Sequence, residues 1–419
     1  MDRRDVDMER VERRLDDVWD IGRDPEGGVT RLAYSAEETE AIDYVREELP
    51  AEFAVATDPM GNVYATSAPD ADRSVHVGSH LDSVANGGRF DGALGVVAAL
   101  ECADVLHAMD SPSIPVTVTV FRGEESYRFD HACIGSRGAV GELPEETLEA
   151  TDRDGRSVRQ AMDRVGVDGP QTLGEPLIDL DSVAGFLELH PEQGRTLDRA
   201  NEHVGVVTSI RAPTRYRVTV EGEHNHSGAT AMADRADAVA ATGEMIWAIE
   251  RIAKRAASEG NLVATTGEVE SVDGAIGNVC GEATFSLDIR STDAAYRDEV
   301  ERRILDSLRS IADRRGVSVD AEFVGERPPV DLDERLVSIL DEAAEALGTP
   351  HRRMPSGAGH DAMFAQIAGV PTGLVFVPSV DGQSHNPRER TPSEAIEDAI
   401  AVLLNAIAEF TGRRPDVSP

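Results

Sequence analysis

A change of rhythm along the chain constrains its fold more than any other feature. Short apolar strands alternate with helices, a different order takes over in the middle, and the first order then returns. Val75 to Gly78 reads as a strand, Val96 to Met109 as a helix, and "IPVTVTVF" (Ile114 to Phe121) as an alternating β-branched strand. "VAGFLELH", ending at His190, reads as another strand, and "SAEETEAIDYVREEL" sets Ser35 and Glu38 at capping-box spacing ahead of helical periodicity. Such alternation builds an α/β layer structure with a largely parallel sheet, whose ligands sit beyond the carboxyl ends of strands. His80, the pair Glu124-Glu125 and His190 fall at such ends.

In the middle, "RYRVTVEG" reads as a strand, Ala236 to Ala257 as a helix, "NLVATTGEVE" and "EATFSLDIRS" as strands, Ala294 to Arg315 as a helix and "VSVDAEFV" as a strand. That order, βαββαβ, is the ferredoxin-like unit, and roughly a hundred residues suffice for a small domain. Afterwards come a helix over Glu334 to Leu347, the loop "MPSGAGHDAM", a strand "TGLVFVPS", the loop "GQSHNPRERT" and a closing helix. The expectation is an α/β catalytic domain with a mostly parallel mixed sheet, residues 1–211 and 327–419, interrupted by an inserted α+β lid over 212–326.

Charge removes whole classes of partner. Forty-one basic residues stand against 78 acidic ones, a formal charge of −37, and Lys254 is the only lysine. Such a surface repels nucleic acid and anionic membranes, so neither is expected as a partner. Acid spread along the whole chain suits a protein of a high-salt cytosol. Cys102, Cys133 and Cys280 have no paired spacing, which suits a reducing compartment. "MDRRDVDMERVERRLDDVWDIG" is an amphipathic helix rather than a signal peptide, and there is no long apolar run, so a soluble cytoplasmic protein is expected.

The polar residues at the strand ends carry the chemistry. His80, Asp91, Glu125, His190 and His385 offer the imidazole and carboxylate donors that zinc and related divalent metals accept. None is helically spaced to another, so the ligands must converge from separate loops. Five ligands with one carboxylate in the middle of the set suggest a metal pair: Asp91 as the bridge, His80 and His190 on one ion, Glu125 and His385 on the other. Two ions about 3.5–4 Å apart hold a hydroxide and polarise a carbonyl together. Asp82 is expected to orient the His80 ring, and Glu124, left free beside Glu125, to serve as general base. Gly87, Gly88 and Gly92 are expected to let the loop backbone approach the ions. His76, His107, His131, His203 and His351 read as structural or surface positions.

Seven blocks, "GSHLDSVANGGRFDGALGV", "EESYRF", "ELHPEQG", "HNHSGATAMADRADA", "NVCGEATFSLDIR", "SGAGHDAM" and "GQSHNPRERT", extend over most of the chain. In them the chain resembles the metal-dependent amidohydrolases of the carboxypeptidase G and aminoacylase superfamily, peptidase family M20. The resemblance is to the branch with N-carbamoyl-L-amino acid hydrolase, allantoate amidohydrolase and β-ureidopropionase. It implies a zinc-exopeptidase-like catalytic domain with an inserted lid, the same five ligands and the same base. It adds Gln193 as a substrate contact, His226 as the group that stabilises the oxyanion, Asn278 and Arg290 as the grip on a substrate carboxylate, and Gly359 and His360 of "SGAGHDAM". It further implies two divalent ions, zinc first, with manganese, cobalt or nickel also accepted by such donors, and a homodimer through the lid. The substrate is then a small molecule with a carboxylate. The activity implied first is conversion of an N-carbamoyl-L-amino acid to the amino acid, carbon dioxide and ammonia. Allantoate or ureidoglycolate hydrolysis and aminoacylase or peptidase activity are the alternatives. A non-catalytic metal-dependent binder is the rival from another class, and it would have no need of Glu124.

If the acid excess serves a high-salt cytosol, the melting temperature should rise as KCl is added in thermal scans. A melting temperature indifferent to KCl would count against that reading.

Overall fold

The computed structural model describes residues 1–108 and 115–412. Met109 and Ile114, which bound the expected helix and strand, lie outside the described residues, as do 413–419 at the end of the expected catalytic domain. In chain order the strands are β1 (Ala54–Thr57), β2 (Val63–Thr66), β3 (Ser74–His80), β4 (Val116–Phe121), β5 (Val183–Pro191), β6 (Val204–Ile210), β7 (Ala212–Glu221) and β8 (Asn225–His226). They continue with β9 (Leu262–Thr265), β10 (Val269–Val272), β11 (Asn278–Val279), β12 (Glu282–Ser291), β13 (Ser318–Glu326), β14 (Val330–Asp331), β15 (His351–Ser356) and β16 (Thr372–Val377). The chain divides into two compact units. One is Met1–Thr208 with Leu332–Ser356 and His360–Pro419, the other Ser209–Asp331 with Gly357–Gly359.

The first unit is built on a mixed sheet in the order β1-β2-β4-β3-β5-β16-β6, with β15 also on β6. Its centre, β4-β3-β5-β16, is parallel, and antiparallel pairs flank it on both sides. All six residues of β4 are buried, as are all six of β16, which is what a parallel strand covered on both faces requires. Helix Ala93–Ala108 is apolar and buried on nearly every side, and it packs on β3, β4 and β5. From β3 the chain leads to β4 on one flank, and from β4 it returns to β5 on the other. Strand order therefore reverses at β3, and the crevice beyond its carboxyl end is where such sheets bind ligands.

The second unit follows the βαββαβ order. β7, helix Ala238–Glu259, β9 with β10, β12, helix Ala294–Arg315 and β13 succeed one another, and the sheet runs β10-β12-β7-β13 with β9 also on β12. Every one of these pairs is antiparallel. Thr214, Tyr216, Val218 and Val220 of β7 are buried with Phe285, Leu287 and Ile289 of β12, leaving the alternate residues on an open face. "NLVATTGEVE", expected as one strand, is two. Thr265 pairs with Asp288 and Val269 with Phe285, so four steps oppose three. The Ser286 hydroxyl takes up the slack, accepting the Gly267 and Glu268 N–H groups at 3.1 and 3.0 Å. Among the described residues no helix is long and apolar enough to cross a membrane.

His76 on β3 is buried, with Nδ1 3.0 Å from the Thr119 hydroxyl, and burial pushes its pKa down to about 4. The unfolded chain therefore takes up this proton near the ordinary value of 6.5 while the native state refuses it, and stability is lost as pH falls from about 6.5 to about 4. Between pH 7 and 5, denaturant titrations should show wild type losing about 2 kcal/mol more than His76→Asn. Equal losses would remove His76 as the cause.

Candidate metal centre

His80 is the last residue of β3 rather than lying past its end. Its Nδ1 lies 3.1 Å from the Asp82 carbonyl oxygen and 3.4 Å from Asp82 Oδ1. A carbonyl can only accept, so Nδ1 carries the hydrogen and Nε2 presents its lone pair. That Nε2 is buried with no hydrogen-bond partner. The Asp82 carboxylate does more than orient this ring: it accepts the backbone N–H groups of Glu124 and Glu125, at 2.9 and 3.0 Å. The clamp joins the end of β3 to the segment after β4, and so sets where the glutamate pair stands.

Asp91 lies between two more imidazoles. His190 Nε2 is 3.1 Å from Asp91 Oδ1, and His385 Nε2 is 3.2 Å from Oδ2 and 3.3 Å from Glu125 Oε1. His190 Nδ1 lies 3.0 Å from the Pro191 carbonyl, which again leaves Nε2 as the lone-pair nitrogen. Neutral lone pairs facing carboxylate oxygens repel unless a proton or a metal cation lies between them. Candidate donor atoms of His80, Asp91 and His190 lie within 4.8 Å of one another, as do those of Asp91, Glu125 and His385. The two groups share Asp91. A third group, Glu188, His190 and His360, is saturated by protein: Glu188 accepts Ser79 Oγ at 2.7 Å and the Ala362 N–H at 2.9 Å, and His360 Nε2 lies 3.1 Å from Ser356 Oγ. The orphaned His80 nitrogen and the mixed N/O donors of the first two groups fit divalent metal.

The electrostatics point the same way. Burial pushes Glu124 well above the usual carboxylate range, with Glu125, Asp361 and Asp82 adding to it and His80 opposing. Burial and Asp91 carry Glu125 up to about 7. Burial works against ionised Asp91, but the His190 and His385 rings hold it well below the usual range, and Asp91 in turn lifts His385 to about 9. These carboxylates cannot all ionise near neutral pH until positive charge enters.

Other residues shape the loops around them. Gln193, expected as a substrate contact, donates its amide to both Asp91 oxygens at 3.2 and 3.1 Å. The His360 ring packs edge-on against His190 with centroids 4.6 Å apart. Glu389, which the sequence reading missed, accepts the Phe90 and Asp91 N–H groups at 2.7 and 3.1 Å. A Cβ at Gly88 would come within 2.1 Å of that carboxylate, so Gly88 makes room for Glu389 and not for an ion, and the Gly87 N–H pairs with the Val29 carbonyl. Of the three loop glycines, Gly92 alone fits the expected close approach. Its φ is +66° and a Cβ there would come 2.4 Å from the His80 ring. The available signal for Glu389 was its position four residues after His385 in the same loop.

The remaining expected residues belong to the second unit. His226 on β8 pairs with Asn278 on β11, and its Nδ1 accepts the Gly228 and Ala229 N–H groups at 3.0 and 3.1 Å. Arg290 on β12 is held by Asp288 through Nε at 2.8 Å and donates to the Gly357 carbonyl at 3.3 Å. Gly359 lies in the short Gly357–Gly359 segment of that unit.

The chain has relatives over nearly its whole length. The pattern of Peptidase family M20/M25/M40 matches residues 76–409. An N-carbamoyl-L-amino acid amidohydrolase of Geobacillus stearothermophilus is 38% identical, covering 96% of this chain and 98% of its own. The allantoate amidohydrolase of Escherichia coli (strain K12) is 35% identical over 94% of this chain and 95% of its own. A crystal structure of an amidase of the hydantoinase/carbamoylase family from Burkholderia multivorans superposes with a TM-score of 0.88 at 33% identity, covering 98% of this chain and 99% of that one.

Gly92→Ala should displace the His80 ring and weaken metal binding by roughly 10- to 100-fold while the circular dichroism spectrum holds. Competition with a chelator followed by elemental analysis checks this, and undiminished affinity would remove Gly92 from the site.

Proposed function

The chain belongs to Peptidase family M20/M25/M40, and from that premise we propose that it is a metal-dependent amidohydrolase that cleaves the linear, non-peptide C–N bond of an N-carbamoyl-L-amino acid. The observation that carries this reading is the pair of donor groups sharing Asp91, with one more carboxylate, the partly buried Glu124, beside them. His80, Asp91 and His190 would hold one ion, and Asp91, Glu125 and His385 the other. When bound, such a pair polarises a carbonyl and acidifies water. Zinc suits this donor set first, and manganese, cobalt and nickel accept it too.

The chain's own groups supply the rest. Glu124 Oε2 stands 3.9 Å from His80 Nε2, and the Cys133 thiol donates to Oε1 at 3.4 Å. A carboxylate raised by burial is a competent base at neutral pH and returns its proton readily to a leaving nitrogen. Two backbone donors on His226 Nδ1 leave the hydrogen on Nε2, the state that can donate to a developing oxyanion. Arg290, oriented by Asp288, is prepared to take the substrate carboxylate, with Asn278 paired to His226. Carbamate release then gives the amino acid, carbon dioxide and ammonia. The allantoate-cleaving relative supports the same chemistry on another ureido acid as the second reading. A homodimer through residues 212–326 and a cytoplasmic location belong to this reading as well. Val239 and Trp247, exposed on helix Ala238–Glu259, supply apolar surface for the dimer contact.

The test is ammonia release by metal-loaded protein in KCl from N-carbamoyl-L-amino acids, allantoate, ureidoglycolate, N-acetyl amino acids and dipeptides. Release from a ureido substrate, abolished by chelator, is the expected result, while amino acid freed only from acetylated substrates or dipeptides would overturn it. Glu124→Gln should lower kcat by roughly 10²- to 10⁴-fold with metal content unchanged. A variant that keeps its turnover would dismiss Glu124 as the base.

A further inference from the structure

On the open face of the second unit, the side chains of Arg215 and Arg217 follow the odd parity of β7, opposite in face to buried Thr214, Tyr216 and Val218, and Arg211 immediately precedes the strand. Across the ladder Arg290 stands opposite Pro213 and Asp288 opposite Arg215. Arg211, one residue beyond the end of this ladder, lies close enough to Arg290 for the two charges to interact. Asp288 serves two guanidinium groups at once, Arg290 through Nε at 2.8 Å and Arg215 through Nε at 2.9 Å. Arg217 has Glu322 opposite it on β13. Arg211 has no such partner: its Nε donates to Asn261 Oδ1 at 2.5 Å, and among the described residues no carboxylate pairs with it.

Gly357 lies against both groups. Arg290 donates to its carbonyl at 3.3 Å, and a Cβ on Gly357 would come 3.7 Å from a terminal nitrogen of Arg211. Gly357, Arg215, Asp288 and Arg290 line one groove, with Arg217 and Glu268 further along it. Asp288 thus holds Arg215 and Arg290, and Arg211 stands near Arg290 with no carboxylate of its own among the described residues. In a chain of net charge −37, that local excess of positive charge runs against the trend of the whole surface. Burial and the neighbouring Arg290 both push Arg211 below its ordinary value, which is the signature of a cation lacking its counter-ion.

We propose that Arg211 is a specificity-determining residue for a second carboxylate, so that the preferred substrate is the N-carbamoyl derivative of a dicarboxylic amino acid. The inference rests on the reading above that Arg290 takes the α-carboxylate. Arg211, held in place by Asn261, then meets the side-chain carboxylate. An apolar side chain there would leave Arg211 partly desolvated and unpaired.

The test compares kcat/KM for N-carbamoyl-L-aspartate and N-carbamoyl-L-alanine with the metal-loaded full chain, in wild type, Arg211→Ala and Arg211→Gln. Wild type should favour the aspartate derivative, and both substitutions should lower that preference about tenfold, chiefly through KM. A wild type with no preference, or a preference that both variants retain, would overturn the inference. Calorimetric titration of the same two compounds into Glu124→Gln, with and without Arg211→Ala, separates the two proposals. Tighter binding of the aspartate derivative that depends on Arg211, without turnover in wild type, would keep the inference and sink the assigned reaction. Turnover of ureido substrates with equal binding of both compounds would do the reverse.

Discussion

Buried negative charge in excess is the constraint on which the first unit turns. Asp82, Asp91, Glu125, Glu188, Asp361 and Glu389 are buried together with the partly buried Glu124 beside them, and His80, His190 and His385 stand opposite them. A buried carboxylate without a counter-charge neutralises itself by taking a proton, which is why Asp361 and Glu389 each rise to about 8. Much of the local architecture manages that excess with neutral donors. Asp82 takes two backbone N–H groups, Glu389 takes two more, Glu188 takes a hydroxyl and an N–H, and Asp361 takes the Ser136 hydroxyl at 2.5 Å. Asp82 and Glu188 have both oxygens paired in this way, while Asp361 and Glu389 each keep one buried oxygen without a partner among the described residues. Asp91 instead has the Nε2 atoms of His190 and His385, and Glu125 that of His385, within 3.3 Å, and that difference in partners separates candidate ligands from scaffold.

The same distinction explains what was legible in the sequence. The α/β order, the interrupting βαββαβ unit and the strand ends could be read because periodicity and strand length are local properties. His80, Glu124, Glu125 and His190 stand at the ends of three adjacent parallel strands, so placing the strands places the residues. Glu389 and Asp361 could not be read in that way. The Glu389 carboxylate meets Phe90 and Asp91 almost 300 positions away, and no local pattern encodes such a contact. Gly88 was misassigned for the same reason, since the group it makes room for arrives from the far end of the chain. The break between β9 and β10 depended on a hydroxyl of β12, again a partner outside the segment being read.

The two units offer different freedom to change. In the first, the polar residues are wedged among buried strands, and a Cβ would meet the Thr119 carbonyl at 1.7 Å from Gly78, the Glu389 carboxylate at 2.1 Å from Gly88 and the His80 ring at 2.4 Å from Gly92. In the second, the sheet has one face under two helices and the other open, so β7 and β12 carry an apolar set and an independent polar set on the same backbone. Replacing an odd-numbered residue of β7 leaves the core of Val218, Val220, Phe285 and Leu287 untouched.

That asymmetry bears on how one hydrolytic centre comes to serve several ureido acids. Groups that do bond-breaking must be over-determined, and the clamp of Asp82 on the Glu124-Glu125 backbone is of that kind. Groups that choose among substrates need only a fixed position and an uncommitted charge. Arg211 has both: a single tether to Asn261, and terminal nitrogens paired with no carboxylate among the described residues. A residue so placed can alter which acid is preferred without any cost to the packing beneath it. Selectivity is therefore expected to vary along the odd positions of β7 and the even positions of β12, while the strand ends of the first unit stay fixed by their buried hydrogen bonds.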